Sequence, residues 1–366
     1  MNTRLNRIFA IVMAFVFLFG TGFAGPAFSD ITAAASSGAY VAKEKLPVSS
    51  GIEALRDEFE LGKASEGNGY ALDYAYYSPV GTNDNTKYPL VIFLHGIGHG
   101  SSEGSQLADS DMPYWASSEL QSRFDDSQGA FILLPRAPED EIVYWSNSLI
   151  EPLYNVIRDF IKEHGDNIDT TRIYISGSSQ GGAMVWKMCK AYPGLFAAAF
   201  PLAATQFDLD ADDVKQCSST AFWIIASKKD LFVNYSLCTM RVWNNLCKYN
   251  DHPENCRLSS FGEVTNPDGE ASSDNHHLAK VITYDLFTLQ NESYPNMEVV
   301  DGLGNEIELQ YPDGLISWMS AIHSDYDGSE FNGSGTYEGN FFSPVLDRGL
   351  YVLLKVVNII QNILGL

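Results

Sequence analysis

The 366 residues carry 46 acidic against 23 basic side chains, a formal charge of −23, and 45% of them are hydrophobic. That surplus of carboxylates repels nucleic-acid phosphates and anionic membranes, so neither is a suitable partner. The apolar content can fill a large core, which excludes a disordered chain, and the length suits one large domain or two small ones.

At the N-terminus, Arg4 and Arg7 precede an apolar run from Ile8 to Phe19, and small residues follow at Ala24, Ala27 and Ser29. This is the order of a secretory signal peptide, expected over residues 1–29 with cleavage before Asp30. The run is shorter than the roughly 18–20 apolar residues a bilayer span needs. The chain is therefore expected outside the cell, secreted or held at the cell surface. Residues 30–69 read as a leader, with helical spacing in the short piece GIEALRDEFELG at 51–62.

From Tyr70 the pattern changes. ALDYAYYSPV alternates like a half-buried strand, GTNDNT is a turn composition, and PLVIFLHG is a continuous apolar run of strand length. The same grammar recurs downstream. AFILLP is strand-like, LIEPLYNVIRDFIKEHG is an amphipathic helix, RIYIS is strand-like and GGAMVWKMCKAY is helical. AAFPLAA, AFWIIAS and RLSSFGEV read as further strands, and YPDGLISWMSAI as a closing helix. Strands alternating with helices predict an α/β domain over 70–323, with a mostly parallel central sheet and helices on both faces. A polar, turn-rich linker or loop is expected at 324–341. After it comes a C-terminal amphipathic helix at 342–366, with Asp347, Arg348, Lys355, Asn358, Gln361 and Asn362 on one side. The broad apolar face of residues 345–366 suits docking on the domain, or peripheral contact with a membrane or partner.

Five cysteines in an exported chain permit disulfides. Cys217, Cys238, Cys247 and Cys256 are expected to form two bridges in one of three connectivities, and Cys189 to be a buried thiol. No CxxC, HExxH or acidic calcium loop occurs, so neither a metal nor a cofactor is expected.

Residues 172–188, RIYISGSSQGGAMVWKM, interrupt a strand with small residues before a helix. Gly177-Ser178-Ser179-Gln180-Gly181 fits G-x-S-x-G, in which a sharp strand-to-helix turn lifts the central serine clear of the sheet. Ser179 is then a candidate nucleophile, and the Gln180 amide, opening the helix, a candidate oxyanion donor. A second donor must come from a loop after an earlier strand. LHGIGHG supplies it, with His95 and Gly96 shaping the loop and the Ile97 amide donating. The same loop lacks the lysine a phosphate-cradling reading needs.

A serine needs a base held by an acid, and this chain order predicts serine, acid, then histidine. Asp230 lies just past AFWIIAS, ahead of the alternatives Asp208, Asp210, Asp212 and Asp213 in a solvated acidic loop. SSDNHHLAK offers His276, with His277 as alternate, whereas His323, His164 and His252 rank lower. Trp115 and Trp145 follow sheet strands and are candidates for lining an acyl or sugar pocket, or for the core.

The segments KYPLVIFLHGIGHG, AFILLPRAPE, IDTTRIYISGSSQGGAMVWKM, YPGLFAAAFPLAA and AFWIIASKKD resemble secreted α/β-hydrolases of the esterase group. That group takes in polyhydroxybutyrate depolymerase-like enzymes, feruloyl or acetylxylan esterase-like enzymes and predicted peptidases of prolyl-oligopeptidase type. The resemblance covers roughly residues 70–320. It implies the α/β-hydrolase fold, Ser179 as nucleophile, Asp230 as acid, His276 or His277 as base, and the Ile97 and Gln180 amides as oxyanion donors. The implied substrate is an ester, either a small molecule or one linked to a polysaccharide or polyester. The sequence departs from such relatives at Ala226-Ser227, where His-Gly is common. It also lacks the usual tryptophan soon after the base, and its stretch from Asp230 to His276 is long and holds three cysteines. Besides an esterase, a serine peptidase and a non-catalytic surface module remain open readings. The peptidases of this type often carry a propeller, for which no repeat exists in this chain.

Overall fold

The computed structural model describes residues 39–41, 54–66, 69–79, 86–108, 112–124, 129–138, 145–204, 209–230, 233–261, 263–265, 297–307 and 314–329. The signal peptide, the C-terminal helix, Asp208, His276 and His277 lie outside the described residues.

Continuous apolar runs become strands buried on both faces. The strands are β1 (Ala39–Val41), β2 (Glu60–Lys63), β3 (Asp73–Tyr77), β4 (Tyr88–Leu94), β5 (Phe131–Pro135), β6 (Ile168–Ser178), β7 (Ala198–Leu202), β8 (Ala221–Ser227), β9 (Arg257–Phe261), β10 (Glu263–Thr265) and β11 (Met297–Asp301). Nine of them form one sheet in the order β11-β9-β8-β7-β6-β4-β5-β3-β2, and β1 pairs with β10 separately. The six in the middle, β5-β4-β6-β7-β8-β9, run parallel, while the pairings of β3 with β5, β2 with β3 and β11 with β9 are antiparallel.

Alternate side chains of each parallel strand go to opposite layers. Leu90, Ile92 and Leu94 of β4 join Ile173 and Ile175 of β6 on one face, under helices α2 (Ile150–His164) and α3 (Gln180–Ala191). Val91, Phe93 and Tyr174 face the other layer, which includes α6 (Leu315–Ser320). Helix α2 forms because Leu153, Val156, Ile157, Phe160 and Ile161 recur at helical spacing and are all buried. Helix α3 differs, since all twelve of its residues are buried. Its two lysines therefore need partners inside the protein. Lys190 pairs with Asp213 of the short α4 (Ala211–Gln216), and Lys187 donates to the Trp145 carbonyl at 3.3 Å. Two further short or moderate helices are α1 (Ser118–Gln121) and α5 (Arg241–Tyr249). No helix among the described residues is long and apolar enough to cross a membrane.

Two expectations are corrected. GIEALRDEFELG is not a helix: after a 3-10 turn at Leu55–Glu58 it becomes β2, with Leu61 opposite Ala75 of β3. The turn buries none of its residues, so there is no apolar face to hold a helix, and edge pairing satisfies the backbone instead. The expected disulfides are also absent, because all five cysteines are free. Burial pushes the thiols of Cys217, Cys238 and Cys256 up to about 12, and that of Cys247 up to about 11. They serve as small protonated core residues. Cys189 is buried, as expected.

His164 closes α2 against the rings of Phe160 (4.4 Å), Tyr76 (5.4 Å) and Phe131 (5.5 Å). Burial holds its imidazole below the ordinary 6.5, outweighing the opposing pull of Glu163 and Glu60. The unfolded chain thus takes up this proton first as pH falls. The stability contributed is complete above the unfolded value and is lost as pH falls through the lower folded one. His164→Phe is expected to flatten the acid-side decline, measured as urea midpoints at pH 7.5 and below 6; an unchanged decline would remove His164 from the acid response.

Candidate active site

The strand order reverses around β4, since β5 lies on one side of it and β6 on the other. Loops leaving the carboxyl ends of β4 and β6 diverge there, which is where parallel α/β sheets hold ligands. Both sequence-predicted loops leave at this point. Residues 95–100 follow β4, and Ser179 separates β6 from α3.

Ser179 has φ 52° and ψ −112°, and among the described residues only Ala203 shares a positive φ without being glycine. Such backbone costs of order 1–3 kcal/mol and persists only where its surroundings impose it. Here the Ser179 amide donates to Leu202 O at 2.9 Å, and Ser179 O accepts from the Ala183 amide at 3.1 Å. Two glycines make the turn sterically feasible. A Cβ on Gly177 would lie 2.5 Å from the Gly181 carbonyl carbon, and one on Gly181 would lie 2.0 Å from Leu94 O. Ser179 is half-buried, and Ser176, within β6 three residues earlier, is buried and donates to Phe200 O at 2.6 Å.

Gln180 opens α3, so its amide has no partner within the helix. Neither it nor the Ile97 amide is a donor in any backbone hydrogen bond among the described residues. Ile97 is half-buried against the core. The Gln180 side chain is buried, and its Oε1 has no hydrogen-bond partner among the described residues.

His95 anchors the β4 loop with both ring nitrogens. Its Nε2 lies 3.0 Å from the Ala137 amide and accepts from it, which leaves Nδ1 as the protonated nitrogen, donating to Gly96 O at 2.8 Å. One residue earlier, Arg136 makes a bidentate pair with Asp73 and donates to Gly100 O at 2.7 Å. Consecutive residues after β5 therefore hold both ends of the loop containing Ile97.

Asp230 sits past the carboxyl end of β8, half-buried, with Oδ1 accepting from the Val233 amide at 2.8 Å. It is two strands from β6, roughly 10 Å at ordinary strand spacing, a gap an imidazole can bridge. Asp210 is spent as the N-cap of α4 and Asp213 on Lys190, which leaves them unsuited to hold a base.

Three histidines lie at the wrong end of the sheet. His323 meets Thr171, near the start of β6 and about 20 Å along the strand from Ser179. His164 precedes β6, and His252, beside Glu254, precedes β9.

The two tryptophans do not line a pocket. Trp115 is 2% exposed and stacks on Phe200 at 6.2 Å; Trp145 is 1% exposed and its Nε1 donates to His95 O at 2.7 Å. Their apolar bulk places them in the core, and the Trp145 indole N–H reaches the loop after β4. Sequence reading did not pick out Lys187. The available signal was a lysine inside an otherwise apolar helical run, in a helix expected to lie on the sheet.

No protein-family model and no curated protein matches the chain. Among solved structures it is similar to a thermostable esterase, with a TM-score of 0.50 and 26% identity over 63% of this chain and 61% of that one. The chain thus spans about three-fifths of that esterase's length. It also aligns with esterase 2 of Thermogutta terrifontis (TM-score 0.44, 16% identity, 63% of this chain and 93% of that one). A further alignment is to an acylaminoacyl peptidase of Pyrococcus horikoshii (TM-score 0.46, 15% identity, 67% and 43%). The fold is that of the α/β-hydrolases, as the sheet order and the first of these likenesses show.

The approach of Gly181 to Leu94 O is the tightest of these contacts. Gly181→Ala is expected to destabilise the protein by about 3 kcal/mol or more, or to prevent folding. Gly194→Ala, at φ 84° with open space around it, should cost only about 1–2 kcal/mol. Urea unfolding compares them, and equal losses would contradict the contact.

Proposed function

We propose that the chain is an exported serine hydrolase that cleaves carboxylic esters through an acyl-enzyme on Ser179. The observation that carries this reading is the strained Ser179 turn at the switch point of the sheet, beside two backbone amides that have no backbone partner among the described residues. The likeness to a thermostable esterase supports the ester as substrate class. Export rests on the N-terminal pattern of Arg4, Arg7 and the apolar run after them.

In this reading Ser179 Oγ attacks the ester carbonyl carbon while a histidine takes its proton. The Ile97 and Gln180 amides hold the resulting oxyanion, with the N-terminus of α3 adding its dipole. Collapse expels the alcohol, which leaves with the proton from the histidine. Water then attacks the acyl-enzyme by the same route and frees Ser179. Asp230 orients the imidazole and stabilises its charged form.

The base is assigned to His276, with His277 as alternate. Support comes from elimination. His95 has both nitrogens engaged in holding its loop, and His164, His252 and His323 sit at the amino end of the strands. His99, on the β4 loop, is the remaining described histidine, and its position before Ser179 breaks the usual chain order.

A fluorophosphonate is expected to label the protein once, at Ser179, and Ser179→Ala to abolish both label and turnover of nitrophenyl esters. Asp230→Asn should lower kcat by about 10⁴. Alanine at His276 and at His277 should give very unequal losses, one of about 10³ or more. Absence of label overturns the reading; equal, mild losses at the two histidines move the base to His99.

A further inference from the structure

We propose that Trp145 and Lys187 are positioning residues, a buried brace that fixes the two oxyanion donors relative to each other. The inference rests on the serine-hydrolase reading above and deepens it.

The two donors belong to different pieces of chain. The Ile97 amide rides on the loop after β4, and the Gln180 amide on the first turn of α3. An oxyanion hole works only if both point at one spot, within a few tenths of an ångström. One link between the two pieces is direct, through backbone at Gly181, which faces the Leu94 and His95 carbonyls. A second link runs through one residue. The Trp145 indole Nε1 donates to His95 O at 2.7 Å, two residues before Ile97. The carbonyl of the same Trp145 accepts from Lys187 Nζ at 3.3 Å, two turns along α3 from Gln180.

Every member of this chain is buried: His95 at 1%, Trp145 at 1% and Lys187 at 3% exposure. The Trp145 ring also lies 5.2 Å from the His95 ring, whose own nitrogens tie the loop to Ala137 and Gly96. Burial matters twice. It removes water as a competing partner, so each bond holds one geometry. It also makes a lysine costly at position 187 unless its ammonium is held, and packing alone would be served better by methionine or leucine. A side chain this costly, tied to the residue that grips the oxyanion loop, fits a role in placing that loop.

The test uses the full chain and counts active sites. Trp145→Phe keeps a ring and removes the indole donor; Lys187→Met keeps the stem and removes the ammonium; Lys187→Gln keeps a donor. Each protein is titrated with a fluorophosphonate to stoichiometric label, and kcat for a nitrophenyl ester is expressed per labelled Ser179. Expected is a fall of about 10- to 100-fold in kcat for Trp145→Phe and Lys187→Met, with KM within about twofold. A trifluoromethyl ketone, which adds to the serine as a tetrahedral oxyanion, should weaken by the same factor, and Lys187→Gln should recover part of the loss. A purely structural role would lower the melting temperature and the number of labelled sites but leave kcat per site unchanged; that result overturns the proposal. If Trp145→Phe does not accumulate as folded protein, Lys187→Met decides on the same terms. If the unaltered protein takes no label, the serine-hydrolase reading fails and the brace falls with it, whereas full label with unchanged kcat in the variants rejects the brace alone.

Discussion

The whole site depends on one backbone approach, that of Gly181 to the end of β4. With 2.0 Å between a would-be Cβ and Leu94 O, no side chain fits, and α3 lies directly on the strand end. That closeness leaves the chain too little room for an ordinary exit from β6, so Ser179 must turn with φ 52°. The same approach brings the β4 loop and the α3 N-terminus side by side, so one contact creates both the raised serine and the paired amides. Strain of order 1–3 kcal/mol at Ser179 is small against what holds it. Met184, Val185, Trp186 and Met188 of α3 are each 2% exposed or less, and burying a side chain of this kind contributes about 1.5–3 kcal/mol. Even after discounting for residual burial in the unfolded chain, the helix has enough to keep the turn in place.

The two ends of the sheet are specialised differently. At the amino ends, polar groups close on each other: Asp169 with Arg172 at 2.7 Å, Lys87 with Gly165 O at 2.7 Å, His323 with Thr171 at 3.1 Å. Hydrogen bonds from Thr171 and Arg172 keep the Asp169 carboxyl below its ordinary range although burial acts to raise it. At the carboxyl ends gather the strained serine and, without partners among the described residues, two backbone amides and Gln180 Oε1. Strained backbone is costly and persists where its surroundings impose it, and both described non-glycine residues with positive φ, Ser179 and Ala203, lie at the carboxyl ends of strands.

Much of the frame was legible in the sequence because it is local or periodic. Continuous apolar runs of seven residues such as YPLVIFL and AFWIIAS have the length of strands covered on both faces, and the GSSQG interruption needs glycine at the two places where backbone closes in. What escaped reading was decided by partners distant in sequence. Edge strand β2 exists because β3 offers it hydrogen bonds, and its own composition suggested a helix. Trp145 looked like a pocket wall because position after a strand is visible in sequence, whereas its tie to His95, 50 residues away, is not. The cysteines suggested bridges through their clustering along the chain, yet each occupies a small core position and remains a thiol.

His95 shows how far such tertiary commitments go. A histidine in a catalytic loop invites the role of base, yet its Nε2 accepts from Ala137 and its Nδ1 donates to Gly96. Adding a proton would set N–H against N–H at Ala137, in a site 1% exposed to water. The imidazole is therefore held neutral by geometry, as a two-ended strut between the loops after β4 and β5. A group that must keep one protonation state to hold the loop cannot also shuttle protons for the reaction. The division follows from burial: His95 is enclosed and engaged at both nitrogens, which suits a brace and not a proton carrier.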